Sequence, residues 1–205
     1  MRYVGIDPGS RTSPTAIAVL EDKKIINVHT IQVPEGRTQG GELLYFMNTL
    51  ATLLELEQPG FIYCEEPFLQ GLANKRMCKF LGSIEMAVEK YCAGIQVNFM
   101  APTEVRKLVE AGSNSSARRA LNAEMFIIKK KYKKGVRKSP EDQAYMRELN
   151  KRGEQLTEDY KAMLAKALIG KVTNNRLVIQ YTEAMEWDKT DAIAITIAGR
   201  IKYGN

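Results

Sequence analysis

Three runs rich in aliphatic and β-branched residues fall within the first 33 positions, at 2–6, 15–20 and 25–33. Turn formers divide them: Asp7-Pro8-Gly9-Ser10 follows the first and Glu21-Asp22-Lys23-Lys24 the second. Strands this close together in sequence pair as an antiparallel meander. The period then changes. Between 41 and 58, Leu43, Leu44, Met47, Leu50, Leu53 and Leu54 recur at helical spacing until Pro59-Gly60 ends the run. A short buried strand at 61–64 delivers Glu65 and Glu66, a helix follows at 73–91, a strand at 96–100, and Pro102 opens another helix. A meander followed by alternating helix and strand predicts an α/β fold built on a mixed five-stranded sheet flanked by helices.

From Gly112 the character shifts. Gly112-Ser113-Asn114-Ser115-Ser116 is a polar loop rich in capping residues, 117–132 is helical, and Ser139-Pro140-Glu141-Asp142 marks a new helix start running to about 169. That stretch is polar and helix-favouring, so 129–170 is expected to be a helical insertion within a single domain spanning 1–205. Residues 177–181 (Leu-Val-Ile-Gln-Tyr) are a candidate for one more short strand, and 188–198 form an apolar helix with side chains small enough to pack closely.

The net charge of +6 is local. Residues 129–138 carry seven positive charges and no negative one, so the remainder sums to −1. One dense cluster containing Lys129, Lys130, Lys131, Lys133 and Lys134 points to a polyanion docking surface, although a solvated helix end has the same composition. No run approaches the length of a membrane span and the first residues lack a signal peptide's apolar core, so no membrane association and a cytoplasmic location are expected. Cys64, Cys78 and Cys92 form no C-x-x-C pair, which argues for reduced, packed thiols rather than a disulfide framework or a zinc site. With His29 the only histidine, a bound metal would rely on carboxylates, which favour hard cations such as magnesium or manganese.

Four acids stand where such a cation could be held. Asp7 and Glu65 each end a predicted strand, and Asp188 and Asp191, three residues apart, share one face at the start of the last helix. Carboxylates that repel one another are costly unless a cation is shared, and a pair of divalent ions ~3.5–4 Å apart is what phosphodiester hydrolysis uses. Each acid also has an ordinary reading: Asp7 as a turn residue, Asp188 and Asp191 as a helix cap, Glu65 and Glu66 as solvated groups.

Read in order, Gly5-Ile6-Asp7-Pro8-Gly9-Ser10, Cys64-Glu65-Glu66-Pro67-Phe68 and Asp188-Lys189-Thr190-Asp191-Ala192-Ile193-Ala194-Ile195 resemble the three acidic motifs of the RuvC-type Holliday-junction resolvases. Leu81-Gly82 and Ala111-Gly112-Ser113 add to the likeness, which covers roughly 1–120 and 177–200. The resemblance implies an RNase H-like fold, a homodimer, magnesium with manganese as the alternative, and paired cuts across a four-way DNA junction. It implies Asp7, Glu65, Asp188 and Asp191 as metal ligands, with Glu65 preferred to Glu66 by its distance from Phe68. It further implies Phe68 as an aromatic presented to unstacked bases and Arg106 and Lys107 as cations near the scissile phosphate. A second cation expected just after the Gly-Ser loop is missing, and Arg118 or Arg119 is the candidate replacement. The 122 residues between Glu65 and Asp188 exceed the usual spacing, and the excess coincides with the lysine-rich region. Such an elaborated form looks more like a divergent, virus- or phage-type branch.

Three other readings stand beside this one. An RNase H-like nuclease acting on flapped or otherwise branched DNA, or on RNA–DNA hybrids, would need the same acids. An actin- or Hsp70-like phosphate-binding ATPase also opens on Gly-Ile-Asp-x-Gly, but its later glycine motifs are lacking. A binder that recognises branched DNA without cutting would not need the acids. The apolar excess on 73–91 (Met77, Phe80, Leu81, Ile84, Met86, Val88) is either a wide core stripe or the dimer contact.

Overall fold

The computed structural model describes all residues except 10–12, 67–72, 113, 133–137, 173–175, 185 and 205, together with the side chains of 73–77. Five strands, β1 (Arg2–Asp7), β2 (Thr15–Glu21), β3 (Lys24–Ile31), β4 (Phe61–Glu65) and β5 (Val97–Met100), form one sheet in the order β3-β2-β1-β4-β5. β1, β2 and β3 pair antiparallel, while β1, β4 and β5 run parallel, the mixed sheet that the meander and the later alternation predict. The helices are α1 (Gln39–Glu57), α2 (Ala73–Tyr91), α3 (Pro102–Leu108), α4 (Ser115–Lys131), α5 (Pro140–Ile169), α6 (Arg176–Glu183) and α7 (Trp187–Tyr203).

The chain divides into two compact units. The first comprises Met1–Ala111 and Ala165–Asn205, the second Gly112–Leu164, with the division falling inside α5. In the first unit one face of the sheet is covered by α1 and α2. Val4, Ile6, Ile17, Val19, Ile62 and Cys64 from the strands pack with Phe46, Leu50 and Leu54 of α1 and Ile84, Ala87 and Val88 of α2. Fully burying each of the large aliphatics or the phenylalanine is worth ~1.5–3 kcal/mol. Phe80 and Leu81 pack on the same cluster, so the apolar excess of α2 is mostly core, and of its large apolar residues with described side chains only Met86 is strongly exposed.

At the end of β1 away from Asp7, buried Glu57 accepts a hydrogen bond from Asn27 Nδ2 at 2.7 Å and lies 2.7 Å from His29 Nε2. Arg2 Nη1 stands 3.6 Å from the same carboxylate. The only histidine therefore serves a buried carboxylate and not the four acids. Cys64 is buried, Cys92 half-buried, and Cys78 exposed, contrary to the expectation that all three thiols are packed. Among the described residues no helix is long and apolar enough to cross a membrane.

The candidate strand at 177–181 is instead the helix α6. Its buried residues, Val178 and Tyr181, are three apart, which is one helix face and not the alternate positions of a strand. In the second unit, α4 packs against α5 through Leu121, Met125 and Ile128 on one side and Met146, Leu149 and Leu156 on the other. Ser139 Oγ accepts from the Asp142 N–H at 3.2 Å just before Pro140, the cap-and-proline start that its sequence announces.

Candidate active site

Side chains alternate across a strand, so residues two apart share a face. Val4 and Ile6 point toward α1 and α2, which assigns Gly5 and Asp7 to the opposite face. There α7 lies so close that a Cβ on Gly5 would stand 2.2 Å from Thr196 Oγ1, 2.5 Å from Thr196 N and 2.7 Å from Ala192 O. Glycine is the residue that permits this approach. Tyr63 of β4 faces the same helix, where Gly199 leaves room for its ring, so Glu65 two residues on shares that face. Ile6 pairs with Cys64 in the parallel ladder, placing Asp7 and Glu65 as the next pair, at the carboxyl ends of adjacent central strands.

The helix that crosses Gly5 brings its own acids in its first turns. Asp188 and Asp191 are both half-buried, and the helix cap is Glu186, whose side chain makes no capping bond. Asp188 is therefore not a cap. Lys189, between the two acids, is paired with Glu186. Burial pushes the Asp7 carboxyl up to about 7, with further upward pressure from Asp191 and a smaller one from Asp188, against the Gly9 N–H it accepts at 3.3 Å. Gly9 makes that turn at a φ of 61°, where a Cβ would stand 2.3 Å from Pro14 O. Glu65 is also raised to about 7, first by burial and then by Asp7, while Arg106 pulls it down. Asp188 is raised by burial. Glu66 is exposed, its N–H donating to Met100 O at 2.8 Å.

These acids raise one another's proton affinity, Asp191 and Asp188 acting on Asp7 and Asp7 on Glu65, and their donors are all oxygen, the chemistry that suits magnesium or manganese. Among the described residues, however, no three His, Cys, Asp or Glu side chains stand close enough together to hold one metal ion. The strand ends and the helix start bring the acids into mutual influence without assembling a closed ligand set.

The fold has known counterparts. Two structures of Thermus thermophilus RuvC superpose on the chain with a TM-score of 0.57 at 14% sequence identity. One, in complex with a Holliday junction substrate, is matched over 98% of this chain and 93% of its own, and the other over 98% and 94%. The fold is that of RuvC. No family description and no curated protein matches the sequence.

In the first unit, α3 presents Arg106 and Lys107 in its last turn, both exposed, and Arg106 acts on Glu65 through its charge. Lys202 of α7 pairs with Glu104 at 2.7 Å, tying α3 to the helix that carries the aspartates. Arg118, Arg119, Lys129, Lys130 and Lys131 all belong to α4 in the second unit. Arg118 donates to Thr157 Oγ1, Lys131 pairs with Asp142 at 3.3 Å, and the other three are exposed. Phe68, Lys133 and Lys134 lie outside the described residues. In the sequence Gly5 stands only as a motif letter, and its part in admitting α7 goes unseen there, although a glycine inside an otherwise apolar strand is itself a sign of close approach.

Proposed function

We propose that this chain is a metal-dependent endonuclease that resolves four-way DNA junctions by paired phosphodiester hydrolysis. The observation that carries the reading is the convergence at Gly5. Asp7 and Glu65, at the ends of adjacent parallel strands, share the face on which α7 delivers Asp188 and Asp191. The likeness to a RuvC bound to a Holliday junction substrate supports branched DNA as the substrate.

In this reading Asp7, Glu65, Asp188 and Asp191 would hold magnesium or manganese, which would supply a nucleophile active at neutral pH and charge stabilisation for the leaving oxygen. Asp7 and Glu65 would contribute carboxylates to that cation from the sheet, and Asp188 and Asp191 would contribute theirs from α7. Arg106, whose charge is felt at Glu65, steadies the phosphate, with Lys107 beside it. Phe68 serves the unstacked bases of the branch. Arg119 or Arg118 replaces the missing cation after the glycine loop, and the lysines of 129–134 add phosphate contacts. The nuclease domain is the whole chain, with 129–170 as its helical insertion, and the working form is a homodimer, since one chain offers one set of four acids and a junction needs two cuts.

The test is direct. End-labelled four-way, three-way, flap, linear duplex and RNA–DNA hybrid substrates are incubated with and without magnesium. Symmetric paired nicks confined to the four-way junction and dependent on magnesium are expected. Preferential cutting of flaps or hybrids would replace the reading with a related nuclease, and absence of cutting on every substrate would end it.

A further inference from the structure

The formal charge of the chain is divided unevenly. Gly112–Leu164 holds 13 Lys and Arg against 7 Asp and Glu, which accounts for the net +6, and the rest balances 17 against 17. Within that basic unit α4 packs on α5 through Leu121, Met125 and Ile128. At 100° per residue, Arg119, Ala123, Phe126 and Lys130 lie on the opposite side. All four are exposed, Phe126 at 64%, with Ile127 beside it at 61%. The one acid of α4, Glu124, bonds Arg152 and Tyr145 of α5. Among the described residues Arg119 and Lys130 have no ion-pair partner. A phenylalanine thus stands in solvent between two uncommitted cations, ~10 Å and ~6 Å away along the helix.

We propose that the outward face of α4 docks an unpaired strand of DNA, one base stacking on Phe126 while Arg119 and Lys130 hold phosphates on either side, which leaves Arg118 as the cation that follows the glycine loop. An aromatic between cations is how single strands are bound without regard to sequence, since every base has a π-face and every linkage a charge. A second copy of the chain is a poor occupant, because pairing this face with itself would set two units of net charge +6 against each other. The inference rests on the reading of the chain as a branched-DNA nuclease, because branches are where unpaired bases occur.

The test uses the full chain in chelator, so that no cutting intervenes, with a 2-aminopurine-labelled oligothymidylate and a blunt duplex as probes. Phe126→Ala should lose about tenfold in affinity for the single strand, the order given by removal of one base–aromatic stack, and leave duplex binding within about twofold. Phe126→Tyr should behave as the parent and Phe126→Leu as the alanine variant, with the fluorescence change on binding abolished in both Ala and Leu. Parent-like binding by Phe126→Leu would show that only apolar area matters and overturn the proposal. So would unchanged binding by Phe126→Ala, or a shift from dimer to monomer in sedimentation with DNA binding intact. Failure of the parent to cut any branched substrate sinks the nuclease reading separately, because these binding measurements need neither metal nor the four acids.

Discussion

At the scale of single residues, a carboxylate that has been pushed up toward neutrality is a group the fold holds at a cost. Asp7→Asn, Glu65→Gln, Asp188→Asn and Asp191→Asn should each abolish cutting while junction binding persists, because phosphate contacts supply most of the affinity; gel shifts and nicking assays on the same preparations check both. Glu66→Gln should cut nearly as the parent does. An essential Glu66 with a dispensable Glu65 would show that the wrong carboxylate has been assigned. The same acids predict a pH effect on the metal-free chain. Asp7 and Glu65 bind their protons more tightly folded than unfolded, so their penalty is full above about 7 and fades as pH falls toward ordinary carboxylate values. Asp7→Asn should therefore raise the metal-free melting temperature at pH 8 by a few degrees, for a gain of ~1–2 kcal/mol, and by less at pH 5. Added magnesium should stabilise the parent and not the variant. A variant less stable than the parent at pH 8 would mean that Asp7 is instead a favourable turn residue.

Among the elements, the contact of α7 with β1 is the one on which both core and site depend. Gly5→Ala should cost ~1–3 kcal/mol by overpacking and reduce cutting more than it reduces the folded fraction, as read by thermal melts beside a nicking assay. Thr196→Ala should not rescue it, because the Thr196 N and Ala192 O of the backbone would still stand 2.5 Å and 2.7 Å from the added Cβ. Rescue would show that only the threonine side chain keeps the helix at its distance. The elements themselves are largely legible in the residues: the strands β1, β2 and β4 are apolar runs closed by turn formers, and the helix α1 begins where Thr38 accepts from the Gly41 N–H at 3.2 Å. The segment 177–181 is not, since Leu-Val-Ile reads as strand by composition, and the helix shows only in which residues the tertiary structure buries. Of the candidate site, the strand-end acids can be found from position alone. The turning of Glu65 inward and Glu66 outward needs the ladder that pairs Ile6 with Cys64. Arg106 can be found only from a resemblance, because its influence on Glu65 crosses from one element to another.

Over the whole molecule, a homodimer on the junction is the expected assembly, and sedimentation with and without junction DNA checks it; a monomer making unpaired cuts would favour a flap nuclease. Ile84 lies wholly in the core, so it cannot report on that assembly, and Met86 is the better probe. Neutralising Lys129 and Lys130 together should weaken binding to every DNA substrate and flatten the dependence of log affinity on log salt by about 0.9 for each phosphate left without its cation. An unchanged slope would make the lysines a solvated helix end. The uneven division of charge has a further meaning for how such a chain can diverge. With the net charge confined to Gly112–Leu164 and the four acids outside it, the proposed function predicts that substitutions in the helical pair adjust how often DNA is met and held, and that substitutions at the sheet ends adjust turnover after capture. Ionic strength and divalent cation are then separate controls, and a lineage could change its tolerance of salt without altering its chemistry.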